Sequence, residues 1–240
     1  MKFSKENSRL SRNFRQIGIV LAAVFFVSAC NDTTDPAPVT IVPTKIFRLD
    51  ATNLTANQPM SPVAVVLHTS GDFWQIGQPV SVAIETLAEG GDNSQMLQSA
   101  MADNSVSTAG ILLPGASASA FITSTNFSNL YLSAATMLVN TNDAFSGINR
   151  IAVDTLAVGE TLAFNKAAYD AGTESNSEMS GTIPGPADGG EGFNSQRDDR
   201  DFLTLHSGVV TQDDGLATSV LNESHRFDNP VILVKITRVQ

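Results

Sequence analysis

The chain has 240 residues, and its 14 Lys and Arg against 24 Asp and Glu give a formal net charge of −10. An acidic balance of this size argues against binding to nucleic acid or to anionic lipid surfaces, and it favours solubility and divalent cations. The single cysteine excludes an internal disulfide, so core packing, or a bound metal, must supply the stability of the folded part.

The first thirty residues predict a lipoprotein signal peptide over residues 1–29. Five basic residues precede an apolar run over 17–27, which is too short for a comfortable membrane span. The following Val-Ser-Ala-Cys sequence resembles a bacterial lipobox, whose cysteine is acylated and becomes the new N-terminus. A buried thiol at Cys30, or cleavage elsewhere, is the alternative. Because Asn31 rather than Asp follows Cys30, we expect an outer-membrane lipoprotein facing the periplasm or the cell surface.

Removal of residues 1–29 leaves 9 basic and 23 acidic residues, a net charge of −14. Residues 30–43 are rich in proline and small polar side chains, which predicts a flexible lipid-anchored tether. The remainder, residues 44–240, has a suitable length for one domain.

The first half of this domain mixes strand and helix patterns. Strands are predicted over residues 44–54 and 63–67 from alternating and β-branched apolar residues. Helical spacing predicts a helix over 78–87, ended by Gly90-Gly91, and a second over 93–102, capped by Asp92 or Asn93.

The second half is a series of short β segments separated by turn residues. We expect strands at 118–123, 130–132, 137–139, 151–153, 161–164 and 231–237. Between the last two, residues 171–201 are polar and rich in Gly and Pro, which predicts disorder over 185–199. The fold class expected is therefore all-β, an antiparallel β-sandwich with a short inserted helical pair.

Three acidic residues could form a calcium site. Asp143 follows an apolar strand, and Asp170 and Glu174 flank Gly172, which allows a sharp turn that brings both carboxylates to one side. Calcium takes six to eight oxygen ligands, whereas zinc prefers the nitrogen and sulfur that these motifs lack. From the residues alone, an Asx-turn at Asp143 and solvated acids at the other two positions are the simpler interpretation.

A family resemblance strengthens the calcium hypothesis. Six segments, in order along residues 46–240, resemble those of the spondin domain: residues 53–62, 68–77, 87–91, 133–148, 169–174 and 226–230. The resemblance implies a β-sandwich related to C2 domains, of a kind that animals use in extracellular matrix and adhesion proteins. It also implies calcium ligands at Asp143, Asp170 and Glu174, although the family usually has Asp where this chain has Glu174.

An enzyme is the competing class. The histidines His68, His206 and His225 leave a Ser-His-Asp arrangement open, but the chain has no Gly-x-Ser-x-Gly, His-Glu-x-x-His or phosphate-loop motif. Glu85 and Glu89, four residues apart, suit a polar helix face better than a glycosidase pair. We expect a non-enzymatic adhesion module that binds calcium and a protein or glycan partner; the alternative is an envelope hydrolase acting on extracellular polymers.

Overall fold

The computed structural model describes residues 42–240, which form two antiparallel β-sheets packed face to face. The four-stranded sheet has the order β4-β1-β10-β7 and contains β1 (Lys45–Asn53), β4 (Ser117–Ser124), β7 (Thr161–Lys166) and β10 (Ile232–Arg238). The six-stranded sheet has the order β3-β2-β5-β6-β8-β9 and contains β2 (Ala64–His68), β3 (Ala102–Ser107), β5 (Tyr131–Met137), β6 (Ala144–Ala152), β8 (Ala168–Asp170) and β9 (Thr204–Leu205). Helices α1 (Val82–Gly90) and α2 (Ser94–Leu97) lie between β2 and β3 in the chain. The predicted all-β sandwich with an inserted helical pair is therefore confirmed.

The main core lies between the two sheets. Along β1, every second residue is buried, and Phe47 and Leu49 point into the same cluster as Val65 and Leu67 of β2 and Ile236 of β10. This period of two is the pattern of a strand with one face in the core and one toward solvent. Burial of these apolar side chains is the main force that holds the sheets together.

A second apolar cluster covers the opposite face of the six-stranded sheet. Ile84 and Leu87 of α1 pack over Val66 of β2, and Trp74 contacts Phe145 of β6 edge to face, with ring centroids 5.2 Å apart. Every residue of β2 is consequently buried, which explains why its sequence is a continuous apolar run rather than an alternating one.

The ends of helix α1 are set by two capping residues, Ser81 and Gly91. Ser81 Oγ accepts a hydrogen bond from the amide of Ile84, and Gly91, in the left-handed conformation at φ 68°, donates its amide to the carbonyl of Leu87. The predicted end is confirmed, but the predicted start at residue 78 is four residues too early. Pro79 and the cap at Ser81 set the start.

Three further elements differ from the sequence prediction. Helix α2 has only four residues instead of the ten predicted, because the chain turns and enters β3, which pairs with β2. The sequence of β3, ADNSVS, carries one large apolar residue, so it gave no strand signal. The predicted short strands around Leu130–Leu132 and Met137 belong to one continuous strand, β5.

The prediction of disorder over residues 185–199 differs from the structure, in which this segment packs against α1. Arg197 donates two hydrogen bonds to the carboxylate of Glu85, from Nε (3.0 Å) and Nη2 (2.6 Å). The amide of Asn194 donates to Glu89 Oε2 (2.8 Å). Specific polar contacts therefore replace the apolar burial that the segment lacks.

Strand β1 runs the length of the sandwich and marks its two ends. At its start, Lys45 Nζ donates to the carbonyl of Asp154, just after β6. At its end, Asn53 Nδ2 donates to the carbonyl of Gln58 (2.7 Å), and Gln58 Nε2 donates to the carbonyl of Asn140 (3.3 Å). The β5–β6 connection, which contains Asn140, thus lies at the end opposite to Lys45.

None of the helices within residues 42–240 combines the length and the apolar character that crossing a bilayer requires. The predicted signal peptide, the lipidation site at Cys30 and nearly all of the tether fall on residues 1–41, outside the described residues.

Candidate functional site

The connection between β5 and β6 is a closed turn that fixes Asp143. The amide of Leu138 donates to the carbonyl of Ala144 (2.8 Å). Thr141 Oγ1 donates to the carbonyl of Leu138 (2.6 Å) and accepts from the amide of Ala144 (3.1 Å). Residues 140–143 are all buried. A polar tetrapeptide is therefore held inside the protein by its own hydrogen bonds, with little freedom to turn Asp143 toward solvent.

Asp143 is fully buried, and only one of its two carboxylate oxygens is hydrogen-bonded. Oδ2 accepts from the backbone amides of Thr173 (2.8 Å) and Glu174 (3.2 Å). Oδ1 is buried and has no hydrogen-bond partner among the described residues. A buried charged oxygen without a hydrogen-bond donor raises the free energy of the folded state, so binding of a ligand or of a proton at Oδ1 would be stabilising.

Asp170 is the best satisfied of the three predicted ligands. Its Oδ1 accepts from the amide of Gly172 (2.9 Å), which has φ 72°, a left-handed conformation that suits the sharp turn predicted at this glycine. Its Oδ2 accepts from Asn176 Nδ2 (2.8 Å) and lies 3.6 Å from Arg200 Nη2. Asp170 is therefore already neutralised in part by the protein.

Glu174 is tied to the β5–β6 connection through one oxygen. Its Oε1 accepts from Asn142 Nδ2 (2.9 Å), and the same amide group also donates to Thr182 Oγ1 (2.9 Å). The segment after β8 and the β5–β6 connection are thus joined through both Asp143 and Asn142.

Sequence reasoning did not assign Glu89, near the end of α1, to this site. Glu89 is buried, its Oε2 accepts from the amide of Asn194, and its Oε1 has no hydrogen-bond partner within residues 42–240. The only sequence signal was its spacing from Glu85, which predicted an exposed polar face. That prediction is wrong, because residues 194–201 cover both side chains and Arg197 pairs with Glu85.

Burial and mutual repulsion make these carboxyl groups hard to ionise. Burial, together with the negative charge of Asp170, raises the pKa of Asp143 to about 7, although the hydrogen bonds from the backbone amides lower it. Burial likewise raises the pKa of Glu174 to about 7, with Glu89 and Asp143 adding repulsion. The pKa of Glu89 is also raised, chiefly by burial. Several acidic groups are therefore concentrated at one end of the sandwich, and Arg200 beside Asp170 offsets only part of their charge.

The donor chemistry fits calcium, although no compact set of ligands is present. The atoms at hand are carboxylate oxygens, and Oδ1 of Asp143 and Oε1 of Glu89 are without partners. Within residues 42–240, no three His, Cys, Asp or Glu side chains are grouped closely enough to form a metal site by themselves. A calcium ion would therefore need backbone carbonyls and water to complete its six to eight ligands.

A chain of hydrogen bonds from His206 through Asn176 reaches the carboxylate of Asp170. His206 Nδ1 accepts from the amide of Gly208 (3.0 Å), so the neutral ring carries its proton on Nε2. Nε2 is 3.2 Å from Asn176 Oδ1, and Asn176 Nδ2 donates to Asp170. Burial lowers the pKa of His206, in keeping with a neutral ring. This histidine positions Asn176 and is not placed to bind a metal itself.

The other two histidines do not form an accessible reaction centre. His68 Nδ1 contacts the carbonyl of Ser70 and Nε2 contacts Ser133 Oγ, both at 2.9 Å, but His68 and Ser133 are fully buried. His225 Nδ1 accepts from the amide of Asn222 (3.1 Å) as part of a short 3₁₀ turn. The Ser–His contact has the form of a nucleophile and base, yet substrate cannot reach the serine oxygen in this structure.

The comparisons with known proteins give no family assignment. No protein-family model matches the sequence, and a search of curated proteins finds no significant relative. The resemblance to spondin domains accordingly stays a prediction, and what the site can do has to be argued from its own geometry.

Proposed function

We propose that this protein is a lipid-anchored binding or adhesion module of the bacterial cell envelope, with a structural calcium site formed by Asp143, Asp170 and Glu174. The observation that carries the proposal is the buried Oδ1 of Asp143, a charged oxygen without a partner beside other carboxylates. A divalent cation would satisfy this atom and cancel the repulsion around it.

The proposed metal would order the loops and would not take part in catalysis. Asp143 belongs to the β5–β6 connection, and the amides that it accepts from belong to residues 173–174 after β8. An ion held by Asp143 and Glu174, with Asp170 at its edge, would bind these two loops together and supply stability that the protein alone lacks. The ordered loops would then present a fixed surface to a protein or glycan partner.

The spondin-like assignment is part of the same proposal. It is supported by the order of the six resembling segments in the sequence and by an architecture of two antiparallel sheets, which is the kind of fold that the resemblance implies. Fold alone does not establish function, so the adhesion role rests on the combination of an expected surface anchor and an acidic loop cluster.

A thermal melt tests the calcium site. The full chain with Cys30→Ser, held in mild detergent, is melted in EDTA and in millimolar calcium, beside Asp143→Asn. We expect calcium to raise the Tm of the parent chain and to leave Asp143→Asn unchanged. In EDTA, Asp143→Asn should melt at the same temperature as its parent or higher, because it removes a buried charge.

The matched control is Asp72→Asn, which removes an exposed carboxylate that lies 3.7 Å from Arg150 at another part of the surface. It should keep the full calcium response. Equal melting temperatures of the parent chain at every calcium concentration would reject the metal site.

The anchor has a separate test in cells. The wild-type protein should fractionate with membranes and incorporate a radiolabelled fatty acid, whereas Cys30→Ser should do neither. Incorporation of label into Cys30→Ser would refute lipidation at this residue.

A further inference from the structure

A polar cavity of about 240 Å³ lies beside Glu174 and is lined by Glu89 of α1 and by side chains from residues 174–198. Its lining includes four carboxylates, from Glu89, Glu174, Glu191 and Asp198, together with hydroxyl and amide side chains. A water molecule takes about 30 Å³ in the liquid, so the cavity has room for a small polar group and several waters.

The buried wall of this cavity contains an unsatisfied charged atom. Glu89 is 1% exposed, and its Oε1 has no hydrogen-bond partner in the part of the chain that the structure describes. The hydroxyl of Thr173 lies within reach of both Glu89 and Asp143 Oδ2 (3.4 Å), and its single hydrogen can satisfy only one of them. Glu89 lines the cavity, and a buried carboxylate oxygen without a full set of donors favours a ligand that carries donors.

Within residues 42–240, no cationic side chain lines the cavity to balance its four acids. The two nearest arginines of the 185–201 segment are used elsewhere: Arg197 pairs with Glu85, and Arg200 pairs with Asp199 and Asp170. The lining of the cavity therefore favours a cation over an anion.

We propose that this cavity binds the guanidinium group of an organic cation. As at the proposed calcium site, no three acidic side chains of the cavity form a compact group within residues 42–240, so a bare metal ion would need several water ligands here. A guanidinium fits better because its five N–H donors spread in a plane and reach separate acceptors at hydrogen-bond distance. Met179, also in the lining, offers an apolar contact for the attached methylene chain.

This inference rests on the proposed binding role, for which it names the chemistry of the ligand, but it does not require calcium. Glu174 is common to the proposed calcium site and to the cavity, whereas Glu191 lines only the cavity and Asp143 belongs only to the calcium site. Variants of Glu191 and Asp143 therefore separate the two proposals.

The test is calorimetric titration of the full chain with Cys30→Ser, in EDTA and at low salt. One arm uses agmatine, a free guanidinium compound, and another uses a short peptide with one arginine. A third uses the same peptide with citrulline, which keeps the shape and loses the charge. We expect saturable binding of agmatine, the arginine peptide or both, and no binding of the citrulline peptide.

Two substitutions locate the binding. Glu191→Gln, on the exposed rim, and Glu89→Gln, on the buried wall, should each weaken the affinity about tenfold, the effect of losing one charge-assisted hydrogen bond. Glu223→Gln removes an exposed carboxylate outside the cavity and should leave the affinity unchanged. Glu191→Gln keeps the proposal testable if Glu89→Gln does not fold.

Each outcome decides the matter. Binding of agmatine alone would assign the site to a free cation, and binding of the arginine peptide alone would assign it to a partner side chain. Failure of both ligands to bind, equal binding of the citrulline peptide, or full affinity in Glu191→Gln would overturn the proposal. If calcium does not change the Tm of the parent chain while the arginine peptide or agmatine still binds as expected, the metal site alone is rejected.

Discussion

The outer faces of the two sheets differ in what covers them. On the four-stranded sheet the outer face meets water, and Phe121 of β4 is 60% exposed. On the six-stranded sheet the outer face lies under α1, the loop that contains Trp74 and the 171–201 segment, and Phe145 of β6 is fully buried. Two buried acids, Glu85 and Glu89, belong to α1 on the covered side. A face covered by distant parts of its own chain can bury charge, which a face open to water cannot.

The largest expected effect compares the two phenylalanines. Phe145→Ala should lower the free energy of unfolding by about 3–5 kcal/mol, because it opens a cavity between Trp74 and Tyr169. Phe121→Ala removes a side chain that is mainly exposed, so its cost should stay within about 0.5 kcal/mol. Urea unfolding followed by tryptophan fluorescence measures both. Equal losses would mean that the outer face of the six-stranded sheet is not packed as described.

The next effect concerns the ion pair between Arg197 and Glu85, which holds residues 185–199 against α1. Arg197→Met leaves the carboxylate of Glu85 buried without its partner, which should cost about 3 kcal/mol. Arg48→Met breaks the pair with Asp50 on the exposed sheet, where about 0–1 kcal/mol is expected. Limited proteolysis should also cut residues 185–199 faster in Arg197→Met alone. Identical proteolysis of the two variants would contradict the role of this pair.

The raised pKa values of Asp143 and Glu174 predict how the free energy of unfolding changes with pH. Because the pKa of Asp143 and that of Glu174 are raised to about 7, the folded state binds more protons than the unfolded state between about pH 4 and pH 7. The stability contributed by these groups is therefore complete below pH 4 and is lost as the pH rises through 7, when no metal is bound.

Asp143→Asn should remove part of this dependence. In EDTA at pH 8 the variant should be more stable than its parent by about 4 kcal/mol, because the pKa of Asp143 is raised from 3.8 to about 7, and near pH 4 the two should be nearly equal. Urea unfolding at several pH values measures the difference. A parent chain that gains stability from pH 4 to pH 8 in EDTA would contradict this account of the site.

The smallest expected effect compares two serines. Ser81→Ala removes the side-chain cap of α1 and should cost about 1 kcal/mol. Ser119→Ala removes an exposed hydrogen bond to Asp50 on the four-stranded sheet and should change stability by less than about 0.5 kcal/mol. Thermal melts resolve this difference. A larger loss for Ser119→Ala would reverse the comparison.

The same contrast explains which parts of the fold the sequence could predict. The alternation of apolar residues in β1 and the apolar run of β2 were sufficient signals, because the order of apolar residues within each strand matches which of its residues are buried. The order of residues 185–199 was missed because it depends on Arg197 and Glu85, which are 112 positions apart. The polar strand β3 was missed because it forms by pairing with β2, not by its own apolar pattern.

The candidate site was predictable only in part. Spacing around Gly172 placed Asp170 and Glu174 on a turn, and Gly172 has the positive φ that this requires. Glu89 could not be found in this way, because the residues that bury it come from the distant 171–201 segment. Local patterns therefore indicated the loops of the site, and tertiary packing supplied its remaining acid and its cavity.

Strand β1 also determines how the protein would carry mechanical load. Nine residues at about 3.3 Å each separate its start at Lys45 from the end where the acidic loops lie. If the chain is held through its N-terminal segment while a partner pulls on those loops, the force runs along the strands. The hydrogen bonds of β1 to β4 and to β10 lie across that direction and would be loaded together, in shear, instead of being opened one after another.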